Sequence, residues 1–169
     1  MFKENSNVKY PRILVISNNP FSDTNNNGKT LASFFREFPQ ENIFQLYFST
    51  EAPDNEYYRN YFRISDNDII KSVFNKNMTC GGIIESKTLE KTEIIKNNKS
   101  SCIEKLKNYN ITRIARELVW ASNKWNTELL NHWIEEISPE IVFFCAGDSG
   151  FAYDITKYIQ ERLGTKLIV

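Results

Sequence analysis

Arg12-Ile13-Leu14-Val15-Ile16-Ser17, then Asn18-Asn19-Pro20, then Asn27-Gly28-Lys29-Thr30-Leu31 is the run from which the fold is read. Its first six residues are a short, nearly continuous apolar stretch, the pattern of a parallel strand covered on both faces by helices. Asn18-Asn19-Pro20 breaks it. Past a polar loop, Leu31, Phe34, Phe35 and Phe38 recur at helical spacing up to Pro39, which predicts an amphipathic helix. A helix starting there leaves the backbone amides of Gly28 to Leu31 as its unpaired donors, and Gly28 has no Cβ to block approach. The arrangement predicts a first βα unit whose loop receives a phosphate or carboxylate.

Outward from this unit, strands and helices alternate. Residues 1–10 are polar and expected to be loosely held, with the fold beginning at Pro11 or Arg12. Ile43 to Ser49 reads as a second strand and Tyr61 to Ile64 as a third, followed by Ser65-Asp66-Asn67-Asp68 as the cap of a helix bearing Ile69, Ile70, Val73 and Phe74. Residues 75–101 carry Gly81-Gly82, Asn97-Asn98 and Ser100-Ser101 without a sustained period, so they are expected to leave the core as a flexible excursion. Helix then predominates from about Cys102 to Ile137, with Ile111, Ile114, Ala115, Leu118 and Val119 as one stripe and a second helix opening at Asn126-Thr127. Glu140 to Ala146 is the strongest strand signal. Gly147-Asp148-Ser149-Gly150 leads from it into a helix bearing Phe151, Ile155, Tyr158, Ile159 and Leu163, stopped by Gly164, and Lys166 to Val169 reads as a last strand. This order predicts an α/β fold with a doubly wound, mostly parallel sheet, in which ligands sit beyond the carboxyl ends of the strands. Both all-apolar strands should be central and parallel. Because the last strand lacks the ligand-facing loop that would come after it, the sequence reads as a truncated chain or one half of a longer protein.

Composition narrows the function. With 169 residues, 41% of them apolar, the chain can bury a substantial core. Its 21 basic and 21 acidic side chains cancel, which argues against a nucleic-acid module with a broad positive surface. No signal-peptide region is evident and no apolar run approaches the roughly 18 to 20 residues of a bilayer span, so a cytoplasmic protein is expected. The slight lysine excess of residues 75–101 is read as that of a solvated loop, with peripheral contact at the inner face of a membrane as the lesser alternative. Cys80, Cys102 and Cys145 share no close spacing and are read as reduced thiols; His132, alone on the polar side of its helix, is read as a solvated residue. No metal site and no cofactor is indicated.

Two constellations carry candidate chemistry. Gly28-Lys29-Thr30 matches the end of a phosphate-binding P-loop, but Asp23 occupies the first glycine position and the connection from Asn18 is too long for that tight turn. A simple helix cap is the plainer reading. Gly147-Asp148-Ser149-Gly150, at the mouth of the strongest strand, offers two glycines for close approach and Asp148 to accept hydrogen bonds from sugar hydroxyls or act as a base. For Asp148 or Ser149 alone, capping of the next helix explains the residue equally well. No paired carboxylates, Ser-His-Asp set or Cys-His pair can be assembled.

The stretch Arg12 to Ser22, Asn27-Gly28-Lys29-Thr30-Leu31, the aromatic strand Gln45 to Ser49 and Glu140 to Tyr153 together resemble the N-terminal half of bacterial glycosyltransferases of the GT-B fold, in the family 4 group. The resemblance covers residues 12–74 and 111–169. It implies a single Rossmann-like domain facing a second one across a cleft, holding a glycan or lipid-linked acceptor while the absent C-terminal domain holds most of the nucleotide-sugar donor. It further implies sugar transfer with retention, Asn18, Asn19, Asn27, Gly28, Lys29 and Thr30 near the donor phosphate or acceptor, and Gly147, Asp148, Ser149 and Gly150 on the acceptor. The helix beginning near Gly28 and the charge of Lys29 would then help stabilise the departing diphosphate. The acidic pair of the family lies in the missing half, and the histidine that many relatives carry near the position of Asp148 has no counterpart here. A non-catalytic Rossmann-like binding domain and a degenerate P-loop NTPase are the alternatives.

Overall fold

The computed structural model describes residues 9–75, 78–85 and 109–169. In chain order they form β1 (Ile13–Ser17), α1 (Asn26–Phe34), β2 (Ile43–Tyr47), β3 (Asn60–Arg63), α2 (Asp66–Phe74), β4 (Gly82–Glu85), α3 (Tyr109–Trp120), α4 (Glu128–Ile137), β5 (Ile141–Phe144), α5 (Gly150–Leu163) and β6 (Lys166–Ile168). The strands build one sheet in the order β4-β3-β2-β1-β5-β6. All neighbours are parallel except β3 and β4. This is an α/β, Rossmann-like fold with a mostly parallel sheet, and the two strands expected at its centre are there: β1 lies between β2 and β5, with Ile13 opposite both Ile43 and Ile141.

Alternation along β1 explains why every residue of it is apolar or small. Leu14 and Ile16 enter a core with Phe62, Trp133, Ile134, Val142, Phe144, Phe151 and Ile155, under α2 to α5. Ile13 and Val15 enter a second core with Phe21, Leu31, Phe35, Tyr47 and Tyr61, under α1. Both faces are therefore dry, and each fully buried side chain of this size contributes about 1.5–3 kcal/mol. Trp120 stacks on Phe151 at 3.8 Å between ring centroids, joining α3 to α5.

Local signals set the helix ends. Ser65 caps α2 in a reciprocal box with Asp68, Thr127 caps α4 through the Leu130 amide, and Gly164 closes α5 in the left-handed conformation, φ 62°. Among the described residues no helix is long and apolar enough to cross a membrane.

Several expectations are corrected. Helix α1 ends at Phe34 rather than reaching Pro39, and Phe34 is 64% exposed while Leu31 and Phe35 are buried. In α2 only Ile69 of the four apolar residues is in the core, and Phe74 is 87% exposed. In α3 the core faces Trp120 while Ile114 and Leu118 are exposed, because Arg116 takes the inward position and finds polar partners in Asp66 and Ser149. Residues 75–101 do not wholly leave the core: β4 joins the sheet, and Cys80 is buried just before it. That turn requires Gly81, whose φ is +77° and at which a Cβ would sit 2.7 Å from the Arg63 carbonyl oxygen. Residues 76–77 and 86–108 lie outside the described set, as do 1–8, so the rest of the expected excursion and Cys102 fall there. Tyr10 is held, its ring edge-on to Phe38 at 5.5 Å and its carbonyl accepting from Asn42.

Candidate functional site

From β1 the chain passes through α1 to β2 on one side, and from β5 through α5 to β6 on the other. The loops leaving these two neighbouring strands diverge and open a crevice at their carboxyl ends, the position at which open α/β sheets bind ligands. The crevice has a volume of about 430 Å³. One wall is formed by Asn18, Asn19, Asn27, Thr30 and Phe34, the other by Cys145, Ala146, Gly147, Asp148 and Ser149, and Phe48 and Phe144 also line it.

The first wall is a self-satisfied loop. Gln45, fully buried on β2, accepts from the Phe21 amide at 2.8 Å and donates to Ser17 Oγ at 2.8 Å and to the Asn19 carbonyl at 3.1 Å. The Asn18 carbonyl accepts from the amides of Phe48 and Ser49. Ser22 Oγ accepts from the amides of Thr24 and Asn25, and Asp54 accepts from the Asp23 amide and the Thr24 hydroxyl. Burial raises the Asp54 carboxyl, but hydrogen bonds from Ser22, Thr24 and the Asp23 amide outweigh it and hold its pKa below the usual value.

Helix α1 starts two residues before Gly28, with Asn25 as its cap, and the Lys29 amide already donates to the Asn25 carbonyl at 2.8 Å. The amides from Lys29 onward are thus not the open donors expected of them. Gly28 serves packing: a Cβ there would lie 2.4 Å from the Pro20 carbonyl oxygen and 2.6 Å from Ser22 Cβ. Its bare face meets the chain's own loop. Lys29 lines a separate groove of about 500 Å³, shared with Arg36 and Tyr57, so its charge does not line the crevice.

At the second wall the start of α5 is also occupied. Ser149 holds the cap position without capping, and Glu117 of α3 accepts instead from the amides of Gly150 and Phe151 at 3.0 and 3.1 Å. Arg116 donates to Ser149 Oγ at 3.0 Å and to Asp66 at 2.8 Å, its guanidinium 4.7 Å from the Phe151 ring centre, while Asp66 also accepts from Trp120 Nε1. Arg113 donates to the Asp148 carbonyl. Helix α3 therefore fixes the 147–150 turn, and among the described residues the Asp148 carboxylate has no partner.

No protein-family model, curated protein or solved structure matches this chain. The crevice must be read from its own residues. It brings together Asn18, Asn19, Asn27, Thr30, Gly147, Asp148 and Ser149 from the two sequence-derived sets, and leaves Gly28, Lys29 and Gly150 outside its lining. Among the described residues no group of three or more His, Cys, Asp and Glu is placed to hold a metal ion. Sequence reasoning missed Gln45 and Glu117, whose partners are distant in the chain, and misassigned Phe34 to the core; a Gln inside an apolar strand was the one available signal.

Proposed function

We propose that this domain is the acceptor-side half of a retaining glycosyltransferase, which moves a sugar from a nucleotide-sugar donor onto a hydroxyl of a glycan or lipid-linked acceptor. One observation carries the reading: carboxamides, hydroxyls, a carboxylate and aromatic rings line the crevice, and among the described residues that carboxylate has no partner and no Lys or Arg joins the lining. Such a lining suits an uncharged, hydroxyl-rich ligand, since amides and carboxylates pair with hydroxyls whereas a phosphate calls for cations or open backbone amides. Pairing of the Lys29, Gly150 and Phe151 amides within the chain argues against a P-loop NTPase. The donor diphosphate then belongs to the second domain that the family resemblance implies.

In the transfer, the acceptor oxygen bonds to the anomeric carbon as the bond from that carbon to the diphosphate breaks. The nucleoside diphosphate leaves with the bonding pair from the same face that the acceptor oxygen takes, and its phosphate oxygen receives the proton that the acceptor hydroxyl gives up. Asp148 accepts a hydrogen bond from an acceptor hydroxyl and orients it for attack. A non-catalytic binding module is the second reading, favoured by Asp148 being the only acid among the described residues that line the crevice.

Titration of the isotope-labelled chain with methyl glycosides, oligosaccharides, nucleoside diphosphates and nucleotide sugars tests the assignment. Glycans should shift the amides of Asn18, Asn27, Asp148 and Ser149, and nucleoside diphosphates should leave them unmoved. Sugar transfer by the full gene product separates enzyme from binding module; nucleoside diphosphates alone occupying the crevice would refute both.

A further inference from the structure

We infer that Phe34 is the stacking platform for one pyranose ring of the acceptor, an inference that rests on the crevice being a carbohydrate site. Helix α1 divides its residues sharply. Gly28, Leu31 and Ala32 are buried in it, and Phe35 just beyond it. Asn27, Thr30 and Phe34, spaced three and four residues apart, line the crevice. Phe34 thus holds a large ring, 64% exposed, at the edge of a concave polar site.

A pyranose ring has the matching chemistry. One of its faces presents C–H groups and its rim presents hydroxyls, so it is bound by an aromatic face together with amide and carboxylate groups around it. The crevice supplies both. Phe34 offers the ring, Asn27 lies two turns back on the same helix, and Asp148 faces them from the other wall. Among the described residues neither the Asn27 carboxamide nor the Asp148 carboxylate is engaged by another side chain or backbone group. A nucleoside base also stacks on a ring, but the paired amides and the absence of a lining cation among the described residues leave nothing to hold its phosphates.

The test is a saturation-transfer and chemical-shift titration of the whole chain with methyl pyranosides of glucose, galactose, mannose and N-acetylglucosamine, and with uridine and adenosine. Wild type is compared with Phe34→Trp, Phe34→Leu, Phe34→Ala and Asn27→Ala. Because Phe34 lies outside both cores, these variants should keep the native spectrum. Phe34→Ala should weaken pyranoside binding at least tenfold, Phe34→Trp should retain it, and Phe34→Leu should abolish the strong saturation of one ring face. If Asn27→Ala loses affinity while Phe34→Ala binds like wild type, the platform is refuted and the crevice reading stands. If wild type binds no pyranoside, or prefers the nucleosides, the crevice reading falls and the platform with it.

Discussion

Glu117 Oε1 lies 3.0 Å from the amide nitrogen of Gly150, so a carboxylate on α3 fills the place that a side-chain cap or an incoming anion would take at the start of α5. Its second oxygen takes the Phe151 amide. The contact combines two charge-assisted hydrogen bonds with the favourable end of the helix dipole. Glu117→Ala should lower stability by about 1–2 kcal/mol, in the range of a lost helix cap, and Glu117→Gln by about half of that. Urea denaturation of the two variants measures the difference, and equal losses would show that the charge contributes nothing.

Gln45 is the polar keystone of the opposite wall. Replacing it by Leu keeps the volume but leaves the Phe21 amide without its acceptor, while the Ser17 hydroxyl keeps only its bond to the Asn19 carbonyl, so stability should fall by about 1–3 kcal/mol. Amide exchange in residues 18–21 should quicken beyond the global change. A variant as stable as wild type would mean that the loop finds other partners.

At Gly28 the expected defect is steric. An added methyl would meet the Pro20 carbonyl and Ser22, both held by the loop's own bonding, and overpacking of this kind costs about 1–3 kcal/mol. Gly28→Ala should therefore depress Tm by several degrees with no ligand present. By contrast His132→Ala, at a side chain 81% exposed, should change stability by less than about 0.5 kcal/mol.

Alkaline pH should destabilise the fold. Burial pushes the Cys80 thiol up to about 12 from 9.0, and the Tyr47 and Tyr58 hydroxyls up to about 12 from 10.0. Each group holds its proton more tightly when folded, so its contribution is complete below the unfolded value and drains away as pH rises from about 9 toward 12. The slope is at most about 1.4 kcal/mol per pH unit for each group in that window. Denaturation series from pH 8 to 11 should show the decline, and Cys80→Ala should flatten its first part.

Strand identity and helix caps were legible because they depend on neighbours in sequence. The runs Ile13 to Ile16 and Ile141 to Phe144, Ser65 with Asp68, Thr127 and Gly164 all act within a few residues. Helix facing was not. An apolar stripe at Ile114 and Leu118 outweighs Arg116 on any hydropathy scale, yet Arg116 turns inward because Asp66 and Ser149, far off in the chain, satisfy it. The same limit hid Glu117 at Gly150 and the packing of Gly28 against Pro20 and Ser22. Half of the crevice was visible as two polar loops after strong strands; that they face each other results from the pairing of β1 with β5.

That pairing has a cost during synthesis. β1 is made before both of its neighbours and meets β2 soon afterwards, but its other flank waits for Ile141 to Phe144, much later in the chain. At translation rates of about 5–20 residues per second, the nascent protein carries an uncovered, β-prone edge at its centre for on the order of ten seconds. Ribosome-associated chaperones have that interval in which to bind it, and the crevice comes into being only when it closes.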